Sequence, residues 1–232
     1  MATLLLRLQG PLQSWGTRSR FDHRDTWPYP TKSGVVGLLA AALGRDRRED
    51  ISDLAALRMG VRVDRKGVLR VDYQTAQNVL AADLEAKRDV QSWRYFLSDA
   101  AFLVGLEGDG GFLRELHSAL KRPRFPLYLG RKGYVPSPPP YLPDGFLDEA
   151  PLAKADEDPL AKALKDYPYL GRGRPQGELL LVLEAGEGRL VYDQPSGPFS
   201  ERRFAARYVR EEVLPQEAVP EGPPRWEVAH VG

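Results

Sequence analysis

The side chains best suited to chemistry in this sequence are arginines and flat aromatic rings, and they occur together. Four segments interleave them: Trp15–Tyr29, Gln91–Tyr95, Arg124–Tyr134 and Arg202–Tyr208. Arginine and lysine neutralise phosphates, and aromatic faces stack on unpaired bases, so the mixture points to single-stranded nucleic acid. Any one segment has a plainer reading, because arginine–tyrosine pairs also stack on ordinary protein surfaces. Four together, carried on one sheet, favour single-stranded RNA. Arginine outnumbers lysine 25 to 8. Its planar donors suit phosphates and base edges, while codon bias in a GC-rich genome produces the same excess without any ligand.

Other chemistries find less support. Thr31-Lys32-Ser33-Gly34 stands where a helix starts, and open backbone N–H groups beside a lysine make a workable phosphate seat. An ordinary capped helix explains the same residues. The three histidines, His23, His117 and His230, are far apart and have no metal-ligand spacing. His117 falls beside an apolar helix face and reads as a packed histidine. His23, among arginines and rings, has the chemistry of a general base for ribose 2′-hydroxyl attack. The glycines at Gly105, Gly108, Gly110 and Gly111 lie between a strand and a helix but lack the G-x-G-x-x-G spacing, so they read as a tight turn. With no cysteine there is no disulfide framework, thiolate metal site or cysteine nucleophile. No metal or cofactor is expected.

The whole chain of 232 residues carries a net charge of +1, which hides an asymmetry. Residues 1–134 sum to +7 and residues 135–232 to −6. A basic part joined to an acidic part suggests an anionic partner on one side and a different neighbour on the other. No apolar run is long enough to cross a bilayer, and the N-terminus lacks the basic region of a signal peptide. A soluble, cytoplasmic protein with no membrane contact is expected.

The elements that must position these groups follow from periodicity. Leu4, Leu6 and Leu8 alternate through a first strand, Thr3–Gln9, which Gly10-Pro11 ends. Val35, Leu38, Leu39, Ala42 and Leu43 mark a helix, with Ser33 or Thr31 as N-cap and Gly44 as C-cap. Met59, Val61 and Val63 form a second strand, Ala100–Leu106 a buried third, and Leu113, Leu116 and Leu120 a second helix. One more strand would complete βαββαβ, an α+β, ferredoxin-like plan, with candidates at Leu179–Leu183, Leu190–Tyr192 and Phe204–Val209. The predicted layout is a single domain over 1–232. It has a ferredoxin-like core at 1–122 with an arm inserted at 65–98, then a Gly/Pro-rich loop region at 123–178 containing a short helix near Leu152–Lys165. C-terminal strands at 179–232 complete the sheet.

At this level of detail the sequence resembles a known family. Leu6 to Gly16, Pro30 to Leu39 with Leu43-Gly44, Trp93 to Phe102, Pro126 to Lys132 and Arg203 to Arg207 are similar, in order, to segments of the CasD subunits of Cascade, the type I-E CRISPR surveillance complex. The resemblance runs from residue 3 to about 210 and is weak between about 135 and 200. It implies a RAMP-superfamily fold: a ferredoxin-like palm, a projecting β-hairpin thumb at 65–98 and a C-terminal strand extension. It implies an RNA-binding, non-catalytic subunit that grips the 5′ handle of the crRNA, caps the CasC backbone and touches the large subunit CasA. Target DNA would be met only through the complex.

Carried onto this sequence, the RNA-binding residues would be Gln13, Trp15, Arg18, Arg20, Lys32, Ser33, Gly34, Trp93, Arg94, Gly130, Arg131, Lys132, Arg203 and Arg207. Lys32 and Ser33 would face the handle from a helix start. Trp93 and Arg94 would sit where the thumb returns to the palm. The glycines of Gly130–Gly133 would let RNA backbone approach closely. Arg203 and Arg207, alternating with Phe204, Ala206 and Tyr208, would both face outward. Two other readings stay open: a metal-independent endoribonuclease using His23, or a tyrosine with a lysine, and a protein–protein adaptor that makes no RNA contact.

Overall fold

The computed structural model describes residues 1–17, 22–80, 87–148 and 158–223. Its first strand, β1 (Ala2–Gln9), is buried on both faces rather than on alternate residues. Leu4, Leu6 and Leu8 enter one core and Leu5 enters a second. That pattern requires a central strand covered on both sides.

After β1 come two short strands, β2 (Leu12–Gln13) and β3 (His23–Arg24), then helices α1 (Lys32–Leu43) and α2 (Ser52–Ala56). Next follow β4 (Arg58–Arg65), β5 (Val68–Leu80), β6 (Lys87–Ser98), β7 (Ala101–Gly108) and α3 (Gly110–Lys121). The chain continues through β8 (Tyr141–Leu147), α4 (Pro159–Asp166), β9 (Leu179–Ala185), β10 (Arg189–Pro195) and β11 (Phe204–Leu214). Thr31 is the N-cap of α1, its Oγ1 accepting the Gly34 N–H at 3.3 Å, and Gly44 closes the helix with φ +80°. Asp109 caps α3 by accepting the Phe112 N–H at 2.9 Å.

The fold is α+β. Seven strands form an antiparallel sheet in the order β10-β11-β9-β4-β7-β1-β8. Helices α1 and α3 pack together, α1 against β10 and α3 against β1, β7 and β8. On the opposite face α4 packs over β7, β4 and β1. Fully buried Arg62 ties α4 to the sheet: it pairs with Asp64 and donates to the carbonyls of Leu164, Tyr167 and Pro168. Every guanidinium donor is thereby used, which is what a buried arginine requires. Among the described residues no helix is long and apolar enough to cross a membrane.

The structure corrects the expected position of the closing strand. The place beside β1 is taken by β8, from the stretch expected to be loop, while β9, β10 and β11 extend the opposite edge beyond β4. Tyr141–Leu147 contains Pro143-Asp144-Gly145, a turn-like composition. An edge strand tolerates it, because proline needs no partner on the open side. The pairing of β8 with β1 shifts register between Leu4 and Leu6, and a Cβ on Gly145 would lie 2.5 Å from the Leu5 carbonyl oxygen. Neither pattern leaves period two in the sequence.

Between β4 and β7 the chain leaves the main sheet as an antiparallel ribbon, β5 on β6, registered from Val68↔Ser98 to Leu80↔Lys87. On its other side β6 pairs with β2 antiparallel and with β3 in parallel.

Candidate nucleic-acid interface

The loop after β7 and α3 is held by its own backbone. Leu129 N–H donates to the Tyr134 carbonyl at 2.8 Å, Tyr134 N–H to the Arg131 carbonyl at 2.8 Å, and Ser14 N–H to the Leu129 carbonyl at 3.0 Å. Gly130 sits at φ +94°, and a Cβ there would fall 1.8 Å from the Ser14 carbonyl oxygen. The glycine is therefore required by the contact between two protein segments. Gly133, by contrast, has nothing within 4 Å of an added Cβ.

This clamp delivers Arg131 to the junction of β3 and β6. Its guanidinium donates to the Tyr95 carbonyl at 3.0 Å, the Arg24 carbonyl at 3.3 Å and the Tyr134 hydroxyl at 3.0 Å, and lies 5.5 Å from the Tyr134 ring centre. In front of it opens a cleft of about 330 Å³ whose walls include Gly16, Thr17, Arg24, Ser33, Gly130, Arg131, Tyr192 and Phe204. Three of the basic–aromatic segments meet there. The fourth borders it, because Arg24 pairs with Arg94 across β3 and β6. The Arg24 side chain is exposed and has no ion-pair or hydrogen-bond partner among the described residues. Arg94 is half-buried, and its Nε donates to Ser92 Oγ at 3.1 Å.

Along the same junction three rings line up across three strands. His23 stacks on Trp93 at 5.0 Å and 8° between planes, and Tyr73 lies on the far side of Trp93 at 5.3 Å. Tyr73 escaped the sequence reading because only the β5–β6 register, Tyr73↔Trp93, brings it there. Tyr192 escaped it because no basic residue stands beside it in the chain. Lys132 and Arg203 are exposed, Arg203 pairing with Glu201 at 3.2 Å. Arg18 and Arg20 lie outside the described residues.

Five expected contact residues are corrected. Gln13 is wholly buried: its amide donates to the carbonyls of Ala100 at 2.8 Å and Leu8 at 3.2 Å, and accepts the Trp15 indole N–H. Trp15 is a core residue, and Gly34 is small because a Cβ would meet that ring at 2.8 Å. Lys32 is 2% exposed, with its ammonium 2.9 Å from both oxygens of Glu184. Burial pushes it below the ordinary lysine value, with Glu184 opposing. The anion at the start of α1 is the protein's own, since Asp193 Oδ2 accepts the Lys32 N–H at 2.8 Å. Arg207 faces inward and grips the same Asp193 at 2.6 and 3.0 Å, with Glu184 at 3.7 Å. Two cations and two carboxylates thus neutralise one another, all but the partly exposed Glu184 buried, and neither cation is left for a ligand.

His117 is packed, its Nε2 2.8 Å from the Leu142 carbonyl oxygen. Among the described residues no group of three or more His, Cys, Asp or Glu could hold a metal ion.

The profile of the family described as CRISPR-associated protein (Cas_Cas5) matches residues 3–210. This chain belongs to that family. Among the family's relatives, the CRISPR system Cascade subunit CasD of Escherichia coli (strain K12) is 35% identical over 156 residues, spanning 60% of this chain and 69% of that protein. A solved structure described as a crystal structure of a Cas protein is 73% identical with a TM-score of 0.79, over 96% of this chain and all of that one. A chain of a CRISPR RNA-guided surveillance complex is 31% identical with a TM-score of 0.76, over 96% of this chain and 95% of its own. Both structural matches extend through 135–200, where the sequence resemblance is weak.

Proposed function

We propose that this protein is a non-catalytic, RNA-binding subunit of a Cascade-type CRISPR surveillance complex, and that its cleft holds the 5′ handle of the crRNA. In this reading β8-β1-β7-β4 with α1 and α3 is the ferredoxin-like palm, and the β5–β6 ribbon is the thumb. The partners are the CasC backbone and the large subunit CasA, with target DNA reached through the complex.

The observation that carries the proposal is the meeting of three separated basic–aromatic segments in one open cleft with the fourth at its border: Arg24 and Arg131 wall it, and Arg94 and the His23–Trp93–Tyr73 rings lie beside it. Cations there neutralise phosphates and the rings offer faces to unstacked bases. The contact set is Ser33, Trp93, Arg94, Arg131 and Lys132, joined by Arg24 and Tyr73. Gln13, Trp15, Lys32, Gly34 and Arg207 support it from within the fold, and exposed Gly130 lines it.

Co-purifying the protein with its operon neighbours and sequencing the bound RNA tests this directly. Recovery of repeat-derived 5′ ends, crosslinked to the Gly130–Tyr134 loop, is expected. Incubating the purified protein with repeat RNA in EDTA tests the non-catalytic part: intact RNA is expected, and specific cleavage would restore the endoribonuclease reading.

A further inference from the structure

Strand β11 sorts its residues unusually. Arg207 and Val209 are buried, while Phe204 and Tyr208, on the opposite face, are 43% and 45% exposed. Leu190 of β10 pairs with Tyr208 and shares its face at 42% exposed, and Tyr192, two residues on, is 56% exposed. Tyr192 lies within the register shift between Val191 and Gln194, close to Leu190 in the chain. The helix on the side opposite α1, α4, covers β4, β7 and β1. Four large apolar side chains, three of them aromatic, therefore lie side by side in water, and such patches mark interaction sites.

Two observations choose the occupant. Tyr192 and Phe204 also wall the cleft, so the patch is continuous with it. Exposed arginines border it: Arg202 and Arg203 before Phe204, and Arg210 two residues beyond Tyr208. Rings on neighbouring antiparallel strands with cations at the rim are how a sheet surface stacks unpaired bases.

We propose that the open face of β10 and β11 is a stacking track for single-stranded RNA leaving the cleft, with Phe204, Tyr192 and Tyr208 as its platforms. This rests on the RNA reading of the cleft, so the test separates the two. The full chain is titrated with a fluorescent oligouridine of about 12 nucleotides over a salt series. Tyr192→Ala, Phe204→Ala and Tyr208→Ala are each expected to weaken binding about five- to a hundredfold. Their salt dependence should stay native, because stacking releases no counterions. Tyr208→Phe should keep the affinity and Tyr208→Leu should lose it, which separates stacking from general hydrophobicity. Native affinity in the ring variants, with Arg131→Ala weakened, would overturn the track and leave the cleft. Native affinity in all of them would overturn both. Ring variants that bind RNA normally but fail to join the partner subunits would make this face a protein dock and overturn the track.

Discussion

At the scale of single residues, the cleft depends on cations that the fold leaves available and on a glycine that the fold demands. Arg131 is pre-set by carbonyl and hydroxyl acceptors and a ring beneath it, so little side-chain freedom remains to be lost on binding. Arg131→Ala and Arg94→Ala are each expected to cost on the order of 1–3 kcal/mol in handle binding. In a salt titration, losing one phosphate contact should lower the slope of log K against log salt by about 1. Native affinity in both variants would remove the cleft as the binding site. Gly130→Ala acts otherwise. A side chain at φ +94° against the Ser14 carbonyl is expected to cost roughly 1–3 kcal/mol of stability, seen as a lower urea midpoint. The same contact made Gly130 look functional in the sequence: a glycine beside Arg131-Lys132 serves a protein–protein approach as readily as an RNA one.

At the scale of elements, charge fixes the start of α4. Asp158 caps it, accepting from the Leu160 and Ala161 N–H groups at 3.0 and 3.3 Å, and also holds Arg58, itself bonded to Glu107. Burial raises the Asp158 carboxyl, but the hydrogen bonds and charge of Arg58, with the two backbone donors, outweigh it and hold the group below the ordinary aspartate value. A carboxyl depressed in the folded state stabilises above its unfolded pKa and loses that contribution as pH falls through the folded value. Asp158→Ala is expected to cost roughly 1–2 kcal/mol at neutral pH. Its deficit against the native chain should shrink below about pH 4. A deficit that stays constant down to strong acid would mean the carboxylate is not the lock. A short helix near Leu152–Lys165 was legible in the sequence, and α4 occupies Pro159–Asp166, the first part of the expected span lying outside the described residues. Strand β8 was not legible, because Pro143 and Gly145 are poor strand formers whose placement is decided by an open sheet edge.

At the scale of the molecule, the Lys32–Glu184–Asp193–Arg207 cluster joins the start of α1 to β9, β10 and β11. It sets the wall on which Tyr192 and Phe204 face the cleft. Removing one member leaves a buried charge unpaired, so Asp193→Ala is expected to destabilise by roughly 3–5 kcal/mol, measured by urea unfolding. A change of a few tenths would show that water reaches the cluster. The cluster also explains why Lys32 and Arg207 were misread. Their neighbours in the chain are small or aromatic, and the carboxylates that claim them lie 152 and 14 residues away.

Local pattern was enough for the α+β class, the cap of α1 at Thr31 or Ser33 and at Gly44, the buried strand β7 and the four basic–aromatic segments, because periodicity, capping and turn chemistry act over a few residues. Those segments, with their order along the chain, also carried the family resemblance. Which strand closes the sheet beside β1, which arginines meet water and which rings stack were decided only in three dimensions. Burial, strand register and ion pairing are set by residues from fourteen to more than a hundred positions apart, and one residue of shift along a strand exchanges its inward and outward faces.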